Sequence, residues 1–265
     1  MATCSHDVRV LYCRPMSAHD ENENSHLQQW LAPDERQRAD RFQSDSSRRN
    51  FLTSRLVLRA WLAQHAGVSP LEVRFTTTSY GQPVLAEPTK TRHMRFNLSH
   101  TTGLIMLAFS SNFDVGVDTE LVRTPPLKLA ERLFAPSELI AIRQAQGTRL
   151  AQTFFKYWTL KEAYLKARGI GLSIPLDSFS IDINEHEGIG LSIDSRFDSG
   201  RGGWAFRSLE PTSTHTAAVC VANSGQPIRI SSDWVRPCEI LSRGAVNSSG
   251  LHTLRPGNAH KRLQS

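Results

Sequence analysis

Two acidic residues, Asp118 and Glu120, flank a single threonine in the segment GVDTE at residues 116–120. The valines and the threonine favour a β-strand, in which residues two apart project from the same face. The two carboxylates would then lie side by side and repel each other unless a cation neutralises them. A hard divalent cation such as Mg²⁺ takes carboxylate and phosphate oxygens as ligands. Taken alone, the pair is more typical of a solvated edge strand, because short motifs match often by chance.

A third carboxylate, Glu162, falls within the segment FFKYWTLKEAYLK at residues 154–166. Helical spacing places it in the middle of an apolar stripe, where an unpaired charge is costly. One available partner is Lys166, one turn later, in an ordinary helix ion pair. The other is a metal ion shared with the strand carboxylates, and the helix geometry alone favours neither. The stripe comprises Phe155, Trp158, Glu162 and Leu165.

Ser99 and His100 end the segment FNLSH at residues 96–100. Adjacent residues project in different directions, so they do not form a nucleophile and base pair. Both side chains can donate to a phosphate, but a serine and histidine alone are more typical of a hydrogen-bonded turn.

Arginines crowd residues 36–59, and planar guanidinium groups suit phosphate because they donate two bonds at once. A solvated basic surface is the alternative interpretation. The sequence has neither a glycine-rich P-loop nor a GxGxxG motif, so the usual nucleotide cradles are absent. The arginines are Arg36, Arg38, Arg41, Arg48, Arg49, Arg55 and Arg59.

The order of the predicted strands and helices that carry these residues indicates an α+β fold of two similar halves. We expect an N-terminal half at residues 1–112, a C-terminal half at residues 113–222, and an extension at residues 223–265 that is largely disordered, since its tail at residues 241–265 is poor in apolar residues. Predicted strands cover 8–13, 71–77, 105–109, 115–121, 179–183, 190–193, 204–209 and 216–221, with 105–121 forming a hairpin. Predicted helices cover 33–43, 47–66 (capped by Ser46 or Ser47), 127–134, 136–146 and 151–168.

The composition of the 265 residues limits the classes to which the protein could belong. A hydrophobic share of 39% suffices for a sizeable core. No run of eighteen apolar residues predicts a membrane helix, and the first ten residues do not form a secretory signal. Four cysteines without a CxxC pair favour neither zinc nor a disulfide framework, and we expect a reducing, cytoplasmic location. The net charge of +6 favours acidic partners.

Four separated segments together resemble the 4'-phosphopantetheinyl transferases, in particular the larger monomeric type that activates surfactin synthetase. They are GQP at 81–83, FNLSH at 96–100, GVDTE at 116–120 and FFKYWTLKEAYLKARGIGLSIPLDSF at 154–179. The resemblance covers roughly residues 8–222. It implies two similar α+β halves with the ligand in the cleft between them. It also outweighs the alternative interpretations given above, namely a solvated edge strand, a hydrogen-bonded turn and a solvated basic surface.

The resemblance implies a magnesium site and a catalytic group. Asp118, Glu120 and Glu162 match the family's metal ligands, and Glu162 also matches the proposed general base. Lys161 and Lys166 match residues that neutralise the diphosphate of coenzyme A and stabilise the leaving nucleotide.

The resemblance also implies a coenzyme A site. Arg38, Arg49 and His100 match contacts to the 3'-phosphate, whereas a position that is often lysine in the family falls on or near Glu35. The remaining matched positions are Asn97 and Ser99 near the phosphates and Gly81, Gln82, Pro83, Val84 and Leu85 at the adenine end.

The implied activity is transfer of 4'-phosphopantetheine from coenzyme A to a serine of an apo acyl, peptidyl or polyketide carrier protein, with release of adenosine 3',5'-bisphosphate. We expect a monomer that uses Mg²⁺ and an acidic carrier, and neither nucleic acid nor membrane as a partner. Residues 127–139, apolar with scattered basic residues, form either the carrier-docking surface or plain core packing. The alternatives are another Mg²⁺-dependent phosphotransferase and a non-catalytic basic module.

Overall fold

The computed structural model describes residues 7–86, 94–171, 173–184, 186, 188–198, 200, 202–223 and 228–248. Two β-sheets face each other across an apolar layer, and a long helix covers the outer face of each sheet. The predicted α+β class is therefore confirmed. None of the described helices has the length and apolar character needed to span a bilayer.

The first sheet has the strand order β11-β1-β5-β4. Its strands are β1 (Asp7–Cys13), β4 (Arg95–Thr101), β5 (Leu104–Ser110) and β11 (Arg229–Trp234), and β11 pairs with β1 in parallel. A short ribbon of β2 (Phe75–Thr77) and β3 (Pro83–Leu85) lies beside it. Helices of this part of the chain are α1 (Ala18–Glu23), α2 (Pro33–Asp40) and α3 (Asp45–Ala66), with 3₁₀ turns at Ser25–Trp30 and Pro70–Glu72.

The second sheet has the order β6-β10-β9, and α6 packs on it. Its strands are β6 (Val115–Leu121), β9 (Gly203–Thr212) and β10 (His215–Asn223). Beside it lie α4 (Leu127–Leu133), α5 (Pro136–Gln144), α6 (Thr148–Arg168), a 3₁₀ turn at Leu176–Ser178, and a ribbon of β7 (Phe179–Asn184) and β8 (Gly188–Ile193).

Side chains alternate between the two faces of β6, so this strand can contribute apolar residues to the core and polar residues to the site. Val115 and Val117 point into the apolar layer between the sheets, where they meet Val8 and Val10 of β1. The intervening positions, beginning with Gly116, point the other way, toward α6.

Side chains of β4 join the two sheets along its border with β6. The carbonyl oxygen of the Asn97 side chain accepts from Val117 N at 3.0 Å. Farther along, Ser99 Oγ accepts from Thr119 N at 3.4 Å, and Thr101 Oγ1 accepts from Leu121 N at 3.4 Å. These side-chain bonds take the place of a backbone ladder and hold the two halves in a fixed register.

Three local predictions differ from the structure. The segment 105–121 is not a hairpin, because β5 pairs with β1 and β4, whereas β6 pairs with β10 in the other sheet. The predicted strand 71–77 is shorter in the structure, because its first two residues belong to the 3₁₀ turn at Pro70–Glu72 and only Phe75–Thr77 forms a strand. The cap of α3 is Ser44, whose hydroxyl accepts from Ser47 N, rather than Ser46 or Ser47.

The expected disorder of the extension is corrected for residues 228–248. Although β11 is largely exposed, its backbone pairs with β1, and backbone pairing does not depend on apolar side chains. The chain continues into α7 (Pro237–Ser248), which buries Ile240 and Leu241 in the core beneath α3. Residues 249–265 lie outside the described part of the chain.

Candidate active site

Helix α6 lies unusually close to strand β6 because Gly116 has no side chain. A Cβ atom at this position would stand 2.0 Å from the carbonyl oxygen of Ala163 and 2.3 Å from Ala167 N, distances that no packed structure tolerates. The close approach brings two residues of α6, Glu162 and Lys166, against the polar positions of β6.

An ion pair joins the helix to the strand at this contact. Lys166 Nζ donates to Asp118 Oδ1 at 2.7 Å and to Ser99 Oγ at 3.2 Å. Ser99 Oγ in turn donates to Asp118 Oδ1 at 2.8 Å. Asp118 and Ser99 are buried, so the three groups form one network that fixes the carboxylate of Asp118. Ser99, expected to contact phosphate, is thus placed to orient Asp118.

The two glutamates lie within the electrostatic reach of Asp118 and of each other. Burial raises the pKa of Glu162, the negative charge of Asp118 raises it further, Lys166 opposes the shift, and Glu120 adds a smaller increase. The pKa of Glu120 is also raised, first by burial and then by Asp118. Glu120 Oε2 meanwhile accepts from Arg123 Nη1 at 3.2 Å. The three carboxylates that the sequence singled out therefore lie close enough to influence one another's ionisation.

The oxygen atoms of these carboxylates are suitable ligands for a hard cation. Asp118 Oδ2 is buried and has no hydrogen-bond partner among the described residues, which leaves one oxygen free for another ligand. All three side chains offer oxygen donors, which Mg²⁺ prefers. Across the described ranges, however, no three acidic, histidine or cysteine side chains already stand at metal-binding distance. Lys166 takes the other oxygen of Asp118, so a metal ion shared by all three carboxylates would require their side chains to move.

Lys161 does not reach this network, which corrects its expected role at the diphosphate. Its ammonium group is 1% exposed and lies 2.8 Å and 2.7 Å from the two oxygens of Glu138. It also donates to the carbonyl oxygen of Phe179 at 2.7 Å. Glu138 accepts further from Ala135 N and from Ile181 N, both at 2.8 Å. The pair is a fully bonded structural link between α5, α6 and β7.

A cleft of about 310 Å³ lies beside this network, and Glu162 is the one carboxylate of the three that lines it. The turn at Gly81–Pro83 also lines the cleft, and Gly81 adopts a left-handed φ of +77° there. Lys166 contributes the ammonium group next to Glu162. The remaining lining residues are Arg38, Arg55, Tyr80, Phe96, Asn97, Leu98, Leu165 and Gly171.

Val84 and Leu85 do not line this cleft but an adjoining cavity of about 350 Å³. Gln82 and Phe96 are common to both spaces. The predicted adenine segment thus divides between two neighbouring cavities.

Positive charges surround His100. His100 is exposed at the end of β4, but partial desolvation still lowers the pKa of its imidazole, and the charges of Lys166, Arg55 and Arg38 lower it further. Such a cluster attracts an anion. Arg49, in contrast, is a half-buried residue of the first turns of α3 and does not line the cleft.

Two residues were not singled out by the sequence, one structural and one in the cleft. Glu138, the structural partner of Lys161, accepts from Ala135 N at the start of α5, but an alanine at the N-cap gives no capping-box signature in the sequence. Arg55, a buried residue of the cleft wall, was visible only as one member of the arginine cluster. Glu35 is explained as a structural residue, since its carboxylate accepts from Arg59 at 2.9 Å and 2.6 Å and from Ala32 N at 2.9 Å.

Comparisons with known proteins cover both halves. The N-terminal profile of 4'-phosphopantetheinyl transferases matches residues 18–112, and the profile of the 4'-phosphopantetheinyl transferase superfamily matches residues 114–220. A solved holo-(acyl-carrier-protein) synthase from Thermotoga maritima shares 24% identity over 41% of this chain and 62% of that chain, with a TM-score of 0.36. That likeness is too limited to carry weight.

The full-length relatives are more informative. The 4'-phosphopantetheinyl transferase HetI of Nostoc sp. is 36% identical over 197 residues, which are 74% of this chain and 80% of the relative. The 4'-phosphopantetheinyl transferase Sfp of Bacillus subtilis is 25% identical over 214 residues, 81% of this chain and 91% of the relative. With both profiles matched in order and one relative covered at this identity, the chain belongs to the 4'-phosphopantetheinyl transferase family.

Proposed function

We propose that this chain transfers the 4'-phosphopantetheine group of coenzyme A to a serine hydroxyl of an apo carrier protein and releases adenosine 3',5'-bisphosphate. The observation that carries the proposal is the ion pair between Lys166 and Asp118 beside Glu162, at the base of a cleft bounded by the Gly81–Pro83 turn. An anionic ligand placed there meets positive charge at one end and carboxylates at the other.

The charged groups of the cleft indicate how coenzyme A would lie. Its 3'-phosphate would meet Arg38 and His100, and its diphosphate would meet Lys166, which is partly exposed. The turn at Gly81–Pro83 would contact the adenine end.

Asp118, Glu120 and Glu162 would hold Mg²⁺. The unpartnered oxygen of Asp118 and the raised pKa values of both glutamates support this assignment, because a cation relieves the mutual repulsion of ionised carboxylates. When bound, the ion would neutralise the charge of the diphosphate and polarise the reacting phosphate.

The carboxylate of Glu162 is the proposed base. The serine oxygen of the carrier forms a bond to the β-phosphorus of coenzyme A while the bond from that phosphorus to the bridging oxygen breaks, and the electron pair leaves with adenosine 3',5'-bisphosphate. Glu162 takes the hydroxyl proton, and its raised pKa strengthens it as a base. Such a step typically contributes about 10²–10⁴-fold. Lys166 stabilises the negative charge on the leaving nucleotide.

The carrier protein is the proposed macromolecular partner, docked on α4 and α5. This surface exposes Leu127, Leu129 and Ile140 and is basic through Lys128 and Arg132, which suits an acidic partner with an apolar contact. Ala130, Phe134 and Ile142 on the opposite side are buried, so one segment supplies both core packing and an exposed face.

We further propose that the protein acts as a monomer in the cytoplasm. One chain supplies both walls of the cleft. The described cysteines, Cys13, Cys220 and Cys238, are unpaired thiols, which suits a reducing compartment.

Mass spectrometry of apo carrier proteins tests the activity directly. A panel of fatty-acid, polyketide and peptide-synthetase carriers is incubated with the chain, coenzyme A and Mg²⁺. We expect a mass gain of one phosphopantetheine group on at least one carrier, abolished when its acceptor serine is alanine. No modification of any carrier, together with no binding of coenzyme A, would contradict the proposal.

A further inference from the structure

The carboxylate of Glu120 is held by a residue of the other half of the protein. Thr101 Oγ1, at the end of β4, donates to Glu120 Oε2 at 3.5 Å and accepts from Leu121 N at 3.4 Å. Both distances lie at the outer limit of a hydrogen bond, so a small shift of the turn that follows Thr101 would break both contacts. The orientation of Glu120 therefore depends on what holds this turn in place.

Arg123 also contacts Glu120, but it is a less precise support. Its Nη1 group donates to Glu120 Oε2 at 3.2 Å and to Leu121 O at 3.3 Å, while 57% of its side chain is exposed. An exposed ion pair of this kind is screened by salt and loses side-chain entropy when it forms. Thr101 belongs to a strand that is paired along its length with β5, so its hydroxyl group is the better ordered of the two.

The turn between β4 and β5 is held by one contact from each half of the protein. It consists of two exposed residues, Thr102 and Gly103, and Gly103 has a left-handed φ of +80°. From α3, Asn50 Nδ2 donates to Thr101 O at 3.2 Å. From the C-terminal half, His215 Nε2 lies 2.9 Å from Thr102 O. The imidazole of His215 thus ties the turn to the sheet that carries Glu120.

The bonds of His215 determine its tautomer. A carbonyl oxygen can only accept, so Nε2 carries the proton and donates to Thr102 O. In the neutral ring, Nδ1 then accepts from the hydroxyl group of Thr212 at 2.7 Å. Thr212 ends β9 and His215 begins β10, directly opposite Leu121 of β6. The ring is therefore anchored in the hairpin that pairs with the carboxylate strand.

We propose that His215 is a positioning residue of the metal site, which fixes the β4–β5 turn and thereby sets Thr101 and the carboxylate of Glu120. The inference rests on the proposed function, because the metal ion is part of that proposal. His215 precedes Ala217 by two residues on β10, and Ala217 packs between the two sheets, away from α6. Its effect on Glu120 is therefore indirect. Groups that orient a metal ligand commonly change metal affinity by about 10–100-fold.

Three substitutions of His215 separate the two bonds of its ring. His215→Ala removes both bonds. In His215→Gln an amide donor stands near the former position of Nε2, whereas in His215→Asn the shorter side chain reaches only the position of Nδ1. His186→Ala is the matched control, because His186 is an exposed histidine in another hairpin of the same half. Circular dichroism verifies that each variant is folded.

Three measurements are made on the full chain: Mn²⁺ affinity by electron paramagnetic resonance with saturating coenzyme A, coenzyme A affinity by calorimetry without metal, and hydrogen exchange of the Leu121 amide. We expect His215→Ala to weaken Mn²⁺ binding by about tenfold and to speed exchange at Leu121. Coenzyme A affinity should be unchanged. His215→Gln should recover most of both losses, and His215→Asn should not. His186→Ala should match the parent.

The variant Thr101→Val tests whether His215 acts through Thr101. If it does, adding His215→Ala to Thr101→Val should weaken Mn²⁺ binding little further, because coupled residues are not additive. Additive losses, or unchanged Mn²⁺ affinity in a folded His215→Ala, would overturn the assignment. If His215→Ala does not fold, equal Mn²⁺ affinities of the glutamine and asparagine variants would overturn it. A parent chain that binds no Mn²⁺ would instead refute the proposed metal site, and the inference with it.

Discussion

Lys166 Nζ lies 2.7 Å from Asp118 Oδ1, and this ion pair couples the long helix of the C-terminal half to the strand that carries the carboxylates. The lysine is 29% exposed and the aspartate 8%. The ammonium group thus occupies one oxygen of the buried carboxylate, and the other oxygen has no hydrogen-bond partner in the part of the chain that the structure describes. A diphosphate entering the cleft offers Lys166 a second anion to bind.

Lys166→Met should slow transfer by about 10²–10³-fold, the typical cost of removing one group that stabilises developing charge. It should also strengthen binding of Mn²⁺ in the absence of coenzyme A, because a cation no longer competes for Asp118. Steady-state kinetics and metal titration measure the two effects. Lys156→Met, on the same helix but outside the cleft, is the control and should change neither quantity. Normal turnover in Lys166→Met would remove the residue from the mechanism.

Gly116→Ala should damage both stability and activity. The added methyl group would collide with the backbone of α6, 2.0 Å from Ala163 O, and neither element can yield without separating Asp118 from Lys166. Overpacking of this kind costs roughly 1–3 kcal/mol in the free energy of unfolding. Urea denaturation and kcat of the folded fraction are the measurements.

Gly190→Ala is the matched control for Gly116→Ala, since its new methyl group would lie 3.8 Å from Asp182 Cβ, an ordinary contact. It should leave activity unchanged. If Gly116→Ala proved as active and as stable as the parent, the close approach of α6 to β6 would not be what positions the site.

The variant Lys161→Met distinguishes a structural role of Lys161 from a role in binding coenzyme A. The substitution leaves the buried Glu138 unpaired, which should lower the free energy of unfolding by roughly 3–5 kcal/mol. The affinity of the folded protein for coenzyme A should stay the same, since Lys161 does not face the cleft. Denaturation and calorimetry together decide the matter. Intact stability with a large loss of coenzyme A affinity would restore Lys161 to the diphosphate.

The contrast between the two lysines shows what the sequence determines and what it leaves open. The two-residue repeat of a β-strand places Asp118 and Glu120 on one face of β6. Helical spacing places Glu162 on the face of α6 that packs against that strand. Lys161 is only one residue from Glu162, but that step is about 100° around the helix. Its partner Glu138 comes from another helix, and no local pattern announces such a tertiary contact.

The extension was misjudged for a related reason. Its composition is poor in apolar residues, which predicts disorder, yet the backbone of β11 pairs with β1 and needs no apolar side chains to do so. Likewise, Arg55 resembles every other arginine of its cluster in sequence, and only the tertiary packing shows that it is buried with an Nε group that has no hydrogen-bond partner within the described ranges. The four motifs, in contrast, sufficed to predict the fold class and the family.

Glu162→Gln should reduce turnover by about 10²–10⁴-fold with little change in coenzyme A affinity, because it removes a base and keeps the shape. The same substitution should increase the stability of the metal-free protein at neutral pH, although it reduces turnover. Burial raises the pKa of Glu162 above its unfolded value, so the ionised carboxylate destabilises the metal-free protein above the ordinary glutamate range. The variant should therefore be more stable than the parent at neutral pH, and the difference should vanish as the pH falls through that range.

Urea denaturation at several pH values, with and without Mg²⁺, measures the stability effect of Glu162→Gln. Added Mg²⁺ should stabilise the parent more than the variant. A variant that is less stable than the parent at neutral pH without metal would show that the carboxylate is compensated in some other way.

Asp118, Glu120 and Glu162 are proposed to bind one divalent ion together with coenzyme A. Titration of Mn²⁺ followed by electron paramagnetic resonance, in the presence of saturating coenzyme A, measures that binding. We predict one tightly bound ion per chain, weakened at least about tenfold by each of Asp118→Asn, Glu120→Gln and Glu162→Gln. Glu210→Gln, which alters an exposed acid of β9, should have no effect. Unchanged Mn²⁺ affinity in all three carboxylate variants would contradict the account.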